Sequence, residues 1–365
     1  MLWLVIFLVP TILAEDTPHF LRAIGALPAA CVVAAVGMDV VLQWLSRRTS
    51  LKLLFGRLCR VVSLQTAVAV LVLVIAAYST VTDYFGNYVH QPMTAYWLEN
   101  SNVVLAETVN GYVHSAVPSS LWLQDRLSNS NPALRFLSPD VEKGLISTVS
   151  VVAPPSSPIT TTSASQVFLL VDPTHDWTPL RNALPHPSEL HVTPGPLAQG
   201  DLDPAPHRAF IGVLAQPAQP VQPSITFERG IDVQQLNFEL SRTSIGSDNT
   251  PVTLMPSTAG ALTVTISWGT TRPITQDLAV FIHWKREGKV IAQHDGSPAF
   301  GYLPMPTWRV GDVIADAHPL VIPGGLQSGD IATLGIYDRA SNRRLHVLDS
   351  AGVPLGDEVL IAVVQ

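Results

Sequence analysis

The sequence predicts a membrane-anchored, mainly-β protein: an α-helical N-terminal region with two full transmembrane helices plus a partial one, then a mainly-β exported region ending in a β-sandwich. Three observations predict it. Apolar runs of membrane grade are confined to roughly the first 80 of the 365 residues. Beyond them, short apolar or alternating runs recur between turn residues, as in an all-β domain. Most of the 30 prolines fall in that second part, where they punctuate strands and stiffen connectors.

Residues 1–14 are apolar but are interrupted by Pro10 and Thr11. The run stops short of the ~20 residues needed to cross a ~30 Å hydrocarbon layer, so it reads as an incomplete helix. A secretory signal peptide is the alternative, yet no Lys or Arg precedes the run, and Ile-Leu-Ala ahead of Glu15 is a poor cleavage site. Residues 24–45 and 61–81 are each long enough to span and carry almost no charge apart from Asp39. Between them lie Arg47, Arg48, Lys52, Arg57 and Arg60 with no acidic residue, whereas the preceding loop holds Glu15, Asp16, His19 and Arg22. The positive-inside rule places the basic loop in the cytoplasm and everything after about residue 82 outside it. Both cysteines fit this arrangement: Cys31 falls in a spanning run and Cys59 in the cytoplasmic loop, which leaves the exported part without a thiol.

The domains expected from composition are a transmembrane region 1–82, a partly helical juxtamembrane segment 83–144, a small Pro-rich β region 145–215, a linker 216–224 and a β-sandwich 225–365. Tyr84, Phe85, Tyr88, Tyr96 and Trp97 suit an aromatic belt at the headgroup level. Residues 146–153 and 166–171 read as strands, and the Pro- and His-dense stretch 173–206 as irregular loops. In the last domain, strands are expected at 234–241, 261–268, 278–285, 289–294, 319–322, 331–337 and 359–364. Leu278, Val280, Ile282 and Trp284 alternate up to a Glu287-Gly288 turn, which predicts a hairpin. With 28 acidic against 21 basic residues and a net charge of −7, the chain offers no basic face for nucleic acid.

There is no Gly-rich phosphate loop, no His-Glu-x-x-His pair and no Gly-x-Ser-x-Gly elbow, and two cysteines cannot build a thiolate zinc cluster. A hairpin closed by two residues sets His283 and His294 on one sheet face, with Asp295 adjacent. Such a set can hold zinc or can be structural hydrogen-bonding groups. Asp201 with Asp203, and Asp248 with Asn249, read as turn chemistry rather than calcium loops. Near the membrane, Glu15 and Asp16 are candidates for a general base and a metal-holding carboxylate. His19 and Arg22 are candidates for pairing with a lipid-linked phosphate; a solvated loop with Arg22 reaching the interface is the plainer reading.

The segment Glu15-Asp-Thr-Pro-His-Phe-Leu-Arg-Ala-Ile-Gly-Ala-Leu-Pro-Ala29, followed by an apolar run, resembles a late exported loop and helix of multi-spanning glycosyltransferases related to protein mannosyltransferases and aminoarabinose transferases. Asp277-Leu-Ala-Val-Phe-Ile-His283, Ala292-Gln-His-Asp-Gly-Ser-Pro298, Gly301-Tyr302, Trp308-Arg-Val-Gly-Asp312 and Leu334-Gly-Ile-Tyr-Asp338 resemble the exported β domain appended to some bacterial members. The resemblance implies the C-terminal portion of an enzyme that moves a hexosyl group from a polyprenyl-phosphate carrier to an acceptor outside the bacterial inner or cytoplasmic membrane. In that family the catalytic carboxylate sits in the first exported loop, ahead of many helices, so Glu15 and Asp16 match the later loop, and His19 and Arg22 are the better carry-over, toward the carrier phosphate. The implied partners are the lipid bilayer, the polyprenyl-phosphate-linked sugar and a catalytic multi-spanning chain. A divalent metal is implied only for the complete enzyme, and the isolated polypeptide is expected to be inactive. The alternative is a membrane-anchored β-sandwich that binds glycan or protein partners at the cell surface through aromatic stacking, with Trp308 and Tyr302 as the candidates and Trp268 and Trp284 as further aromatics.

Overall fold

A computed structural model describes residues 27–48, 64–91, 93–94, 100–114, 119–129, 132–138, 147–151, 166–200, 202–219, 221–240, 243–247 and 251–365. The chain divides into two compact units, Met1–His90 and Gln91–Gln365. The first incomplete apolar run lies outside the described residues.

In the first unit, helices α1 (Leu27–Arg48) and α2 (Leu64–Val81) form from the two long apolar runs. Pro28 sits in the first turn of α1, where its missing N–H has no intrahelical partner to lose. Helix α2 runs on into a π-helical stretch, Thr82–Tyr88. There Thr82 Oγ1 shares its proton between the carbonyls of Tyr78 and Ser79, 2.9 Å from each, a back-bond that bends helices. Ala69–Tyr88 is long and apolar enough to cross a membrane by length and composition, and none of it is buried. The two full spans expected from the sequence are thus met, among the described residues, by one such stretch: α1 contributes a shorter apolar segment, Pro28–Val41, and also carries Gln43, Arg47 and Arg48. The boundary expected after residue 82 falls inside continuous helix.

The second unit is mostly β-sheet with few helices. Its elements are α3 (Asn100–Val113), β1 (Ser119–Gln124), α4 (Asp125–Asn129), α5 (Pro132–Leu137), β2 (Ser147–Val149), β3 (Gln166–Val171), α6 (Thr178–Ala183), β4 (Ser188–Pro194), β5 (Leu197–Ala198), β6 (His207–Arg208) and β7 (Ile211–Pro217). There follow β8 (Ile225–Phe227), β9 (Ile231–Leu240), β10 (Thr243–Ser247), β11 (Val252–Leu254), β12 (Ala261–Thr270), β13 (Leu278–Arg286) and β14 (Lys289–Gly296). Strands β15 (Val313–Val321), β16 (Ile331–Asp338), β17 (Val347–Leu348), β18 (Pro354–Gly356) and β19 (Val359–Val364) complete the chain.

The larger sheet has the order β18-β17-β8-β9-β12-β15-β4-β7-β3-β1-β2, with β10 on β9, and the smaller β11-β19-β16-β13-β14. Strand β12 forms because Leu262, Val264, Ile266 and Trp268 alternate with polar neighbours and all four bury. Strand β3 is apolar from Val167 to Val171 because it is covered on both faces. Ile266 and Trp268 share one apolar core with Ile282 and Trp284 of β13. A second cluster forms where Leu105, Ala106 and Val109 of α3 meet Leu121, Leu123, Phe168 and Leu170 on the sheet.

Three expectations change here. Residues 216–224 do not separate two sheets: β7 extends to Pro217, and β15 pairs in parallel with β4 through Val313↔Glu189, Ile314↔Leu190 and Ala315↔His191. The stretch 173–206, expected as irregular, contains α6, β4 and β5. Strand β15 starts at Val313 rather than 319, because Asp316 and His318, polar residues that read as loop, are buried and hydrogen-bonded.

Candidate functional site

Glu15, Asp16, His19 and Arg22 lie outside the described residues, as do Asp201, Asp248 and Asn249. Asp203 serves a turn, its Oδ2 accepting the Gly200 N–H at 2.6 Å.

The metal candidates His283, His294 and Asp295 do not come together. The hairpin turns at Glu287-Gly288 as expected, but a bulge shifts the register between Trp284 and Lys285, so that His294 faces Ile282 and Gln293 faces His283. A one-residue shift moves every later side chain to the opposite face. His294 therefore turns inward, while His283 and Asp295 keep the other face. Burial pushes the His283 imidazole below the usual histidine range, with Asp295 opposing. Among the described residues no cluster of three or more His, Cys, Asp or Glu side chains is arranged to hold a metal.

What His294 reaches is a buried network. Its Nδ1 is 2.9 Å from Nδ1 of His318, whose Nε2 lies 2.7 Å from Asp316 Oδ2. Asp316 also accepts the Trp268 Nε1–H at 3.2 Å and the Ala299 N–H at 2.9 Å. The network thus ties β14 of the smaller sheet to β12 and β15 of the larger. Burial, then the neighbouring His318, depresses the His294 pKa.

The aromatic candidates are mostly enclosed. Trp308 is only 7% exposed, donates its Nε1–H to the Leu303 carbonyl at 2.8 Å and packs against Trp268. It therefore cannot offer a ring face to a sugar, which corrects its expected role; its hydrophobic bulk and its N–H are both satisfied inside. Trp268 and Trp284 are fully buried, the latter bonded to Asp330 at 3.1 Å. Tyr302 is half-buried, and burial raises its phenol pKa against the opposing charge of Arg208.

The Trp308-Arg-Val-Gly-Asp312 stretch is a clamp. Arg309 Nε meets Asp312 Oδ2 at 2.6 Å, and its Nη atoms donate to the carbonyls of Leu184 and Pro185 at 3.2 and 3.0 Å. Asp312 Oδ1 accepts the Ser188 N–H at 2.8 Å and sits 2.9 Å from His186 Nδ1. These bonds seat the loop before β4 beside the start of β15, where the two strands pair.

A crevice that sequence reasoning missed lies at the carboxyl ends of β1 and β3. These strands are parallel, so both of their carboxyl ends open on the same side of the sheet. Gln124 Oε1, closing β1, accepts the Asp172 N–H just past β3 at 2.6 Å. Asp172 Oδ1 accepts both the Thr174 N–H at 2.9 Å and the Thr174 hydroxyl at 2.6 Å. Ser101, Asn102 and Leu105 of α3, Leu127 of α4 and, from the far side, Ala198, His207, Ala209 and Phe210 complete the lining. The available signal was Asp172-Pro-Thr-His-Asp176 directly after an apolar strand, which marks a strand-to-helix loop. On the other flank of α3, a second hollow lined by Tyr112, Phe168, Pro194, Pro196 and Phe210 is largely apolar.

No protein-family model matches the chain, and no curated protein matches it. Among solved structures, the C-terminal domain of Wzt is similar at 12% sequence identity over 41% of this chain and 82% of that one. Its TM-score is 0.25, a likeness too slight to argue fold or function from.

Proposed function

We propose that this chain is the membrane-tethered, exported region of a glycosyltransferase that draws on a polyprenyl-phosphate-linked sugar, its two larger sheets forming a sandwich outside the cytoplasmic membrane. The observation that carries the tether is the Ala69–Tyr88 helix, long and apolar enough to span, whose side chains Leu71, Leu73, Val74 and Ile75 are all more than half exposed. The transferase reading rests on the ordered resemblance motifs. It is supported by the gathering of the C-terminal motifs on adjacent elements of one unit: on β13, β14 and β16, and in the Arg309–Asp312 clamp. Those residues act as scaffold, and the chemistry belongs elsewhere in the assembly.

The test compares membranes of source cells with and without this chain, each given radiolabelled polyprenyl-phosphate sugar. Transfer to the envelope acceptor is expected to fall at least about tenfold without the chain. Unchanged transfer would remove the transferase reading. Carbonate extraction of the same membranes reads the tether, which is lost if the chain leaves with the soluble fraction.

A second reading, a membrane-anchored module that binds glycan or protein partners, is favoured by the crevice at the ends of β1 and β3. In that case transfer persists in membranes lacking the chain, and retention of its ligand at the membrane does not.

A further inference from the structure

We infer that the crevice at the carboxyl ends of β1 and β3 binds one uncharged sugar ring through its hydroxyl groups. This deepens the glycan-facing reading above and rests on it for the setting, while the class of ligand follows from the lining.

Size comes first. The cavity is about 210 Å³, below the roughly 300–1,000 Å³ of sites for drug-sized ligands. It suits a single ring rather than an oligosaccharide or a nucleotide. Its chemistry is mixed in the way a pyranose is mixed: Ser101, Asn102, Asp172, Thr174 and His207 supply donors and acceptors, and Leu105, Leu127 and Phe210 supply apolar surface. A sugar ring presents hydroxyls around its rim and C–H groups on its faces, so each kind of wall has a counterpart.

Charge narrows the class further. Among the described residues, no Lys or Arg lines the crevice, so that lining presents no fork for phosphate or carboxylate. Among the described lining residues the carboxylate is that of Asp172, and the Arg126 guanidinium 3.4 Å away offsets the field a cationic ligand would need. What remains is recognition of neutral hydroxyls.

Asp172 is held for that task. Its backbone N–H is fixed by Gln124, and its Oδ1 is occupied by the N–H and hydroxyl of Thr174. Among the described residues, Oδ2 has approaches at 3.4 Å from Arg126 Nε and His175 Nδ1. Those exceed good hydrogen-bond lengths, whereas a sugar hydroxyl bonds a carboxylate at about 2.5–2.7 Å. The side chain is thus oriented by one oxygen and keeps acceptor capacity on the other.

The experiment is calorimetric titration of the purified full chain in nanodiscs with the methyl pyranosides of glucose, galactose, mannose and N-acetylglucosamine. At least one is expected to bind saturably at millimolar concentration. Asp172→Asn should weaken it about tenfold or more, since a hydrogen bond to a charged group is lost. Ala209→Phe, which fills the crevice, should abolish it while the melting temperature stays near that of the parent. No saturable binding by any of the four sugars, or binding unchanged by Ala209→Phe, overturns the proposal. Tighter binding of glucose 6-phosphate or glucosamine than of the neutral sugars overturns the uncharged class. Because no carrier lipid or transfer step enters this measurement, its failure is separate from failure of the membrane transfer assay.

Discussion

At the residue scale, Asp312 carries more than any surface ion pair can. Its carboxylate is 3% exposed as a residue and holds Arg309, His186 and the Ser188 N–H together. Removing one partner of a buried pair leaves the other uncompensated, at a cost of about 3–5 kcal/mol. Asp312→Ala is therefore expected to lower the urea midpoint by that equivalent with the m-value unchanged. A loss below about 1 kcal/mol would make the clamp no stronger than an exposed pair. Histidine protonation gives a second prediction. His294 faces His318 and Asp316 from β15 and has Asp295 beside it on its own strand, and burial leads in depressing its pKa. His283, among Asp295, Arg344, Lys285 and Glu358, is likewise depressed by burial. Both folded-state values lie below the unfolded one, so the folded chain binds fewer protons, and stability falls as pH drops below about 6.5. The melting temperature should decline between pH 7 and 5.5, and the double variant His283→Gln/His294→Gln should flatten that slope; a slope unaltered by the double variant assigns it to other groups. The sequence identified these histidines as chemically notable but misjudged their partners. One bulge residue in β14 sends His294 to the inner face, and nothing in the local pattern announces it.

At the element scale, the smaller sheet is fitted around one glycine. Gly335 of β16 lies opposite Phe281 of β13, and a Cβ there would come within 2.2 Å of the Phe281 ring and 2.9 Å of the Asp357 carbonyl. The Arg344 guanidinium lies over that ring, 4.6 Å from its centroid. An aromatic ring lying over a cross-strand glycine shields its exposed backbone. Gly335→Ala should cost about 1–3 kcal/mol through overpacking, read by chemical denaturation; a neutral result would mean that the ring swings clear without loss. This explains structurally why Leu334-Gly-Ile-Tyr-Asp338 keeps a small residue in a buried strand. Strands β12, β13 and β14 were legible because alternation and turn residues are local signals. Strand β4 was not, since Pro187 and Pro194 bracket its Leu190-His-Val192 alternation and disguise it as loop. The first half of β15 was hidden for another reason: a buried Asp316 and His318 are tolerable only with Trp268 and His294 as partners, and those arrive from other strands.

At the scale of the whole molecule, the tethered reading makes a simple demand on the Ala69–Tyr88 helix. An arginine at its centre raises the insertion free energy by about 2.5–3.5 kcal/mol, so Tyr78→Arg should shift the chain measurably from the carbonate-resistant to the extractable fraction. An unchanged distribution would mean that this helix is not what holds the chain to the membrane. By itself the sequence determined that apolar helix precedes a β-rich region, that a hairpin in the last 140 or so residues turns at Glu287-Gly288, and that the net charge is acidic. Each of these depends on the identity of neighbouring residues and so is written locally. Only the tertiary structure decided that the strands on either side of residues 216–224 join one sheet, that Trp308 is enclosed, and that a crevice opens where β1 and β3 end. The physical reason is range: Gln124 finds Asp172 across 48 positions, and Asp312 finds Ser188 across 124. Such contacts form only once the intervening chain has folded, so no window of sequence contains both partners.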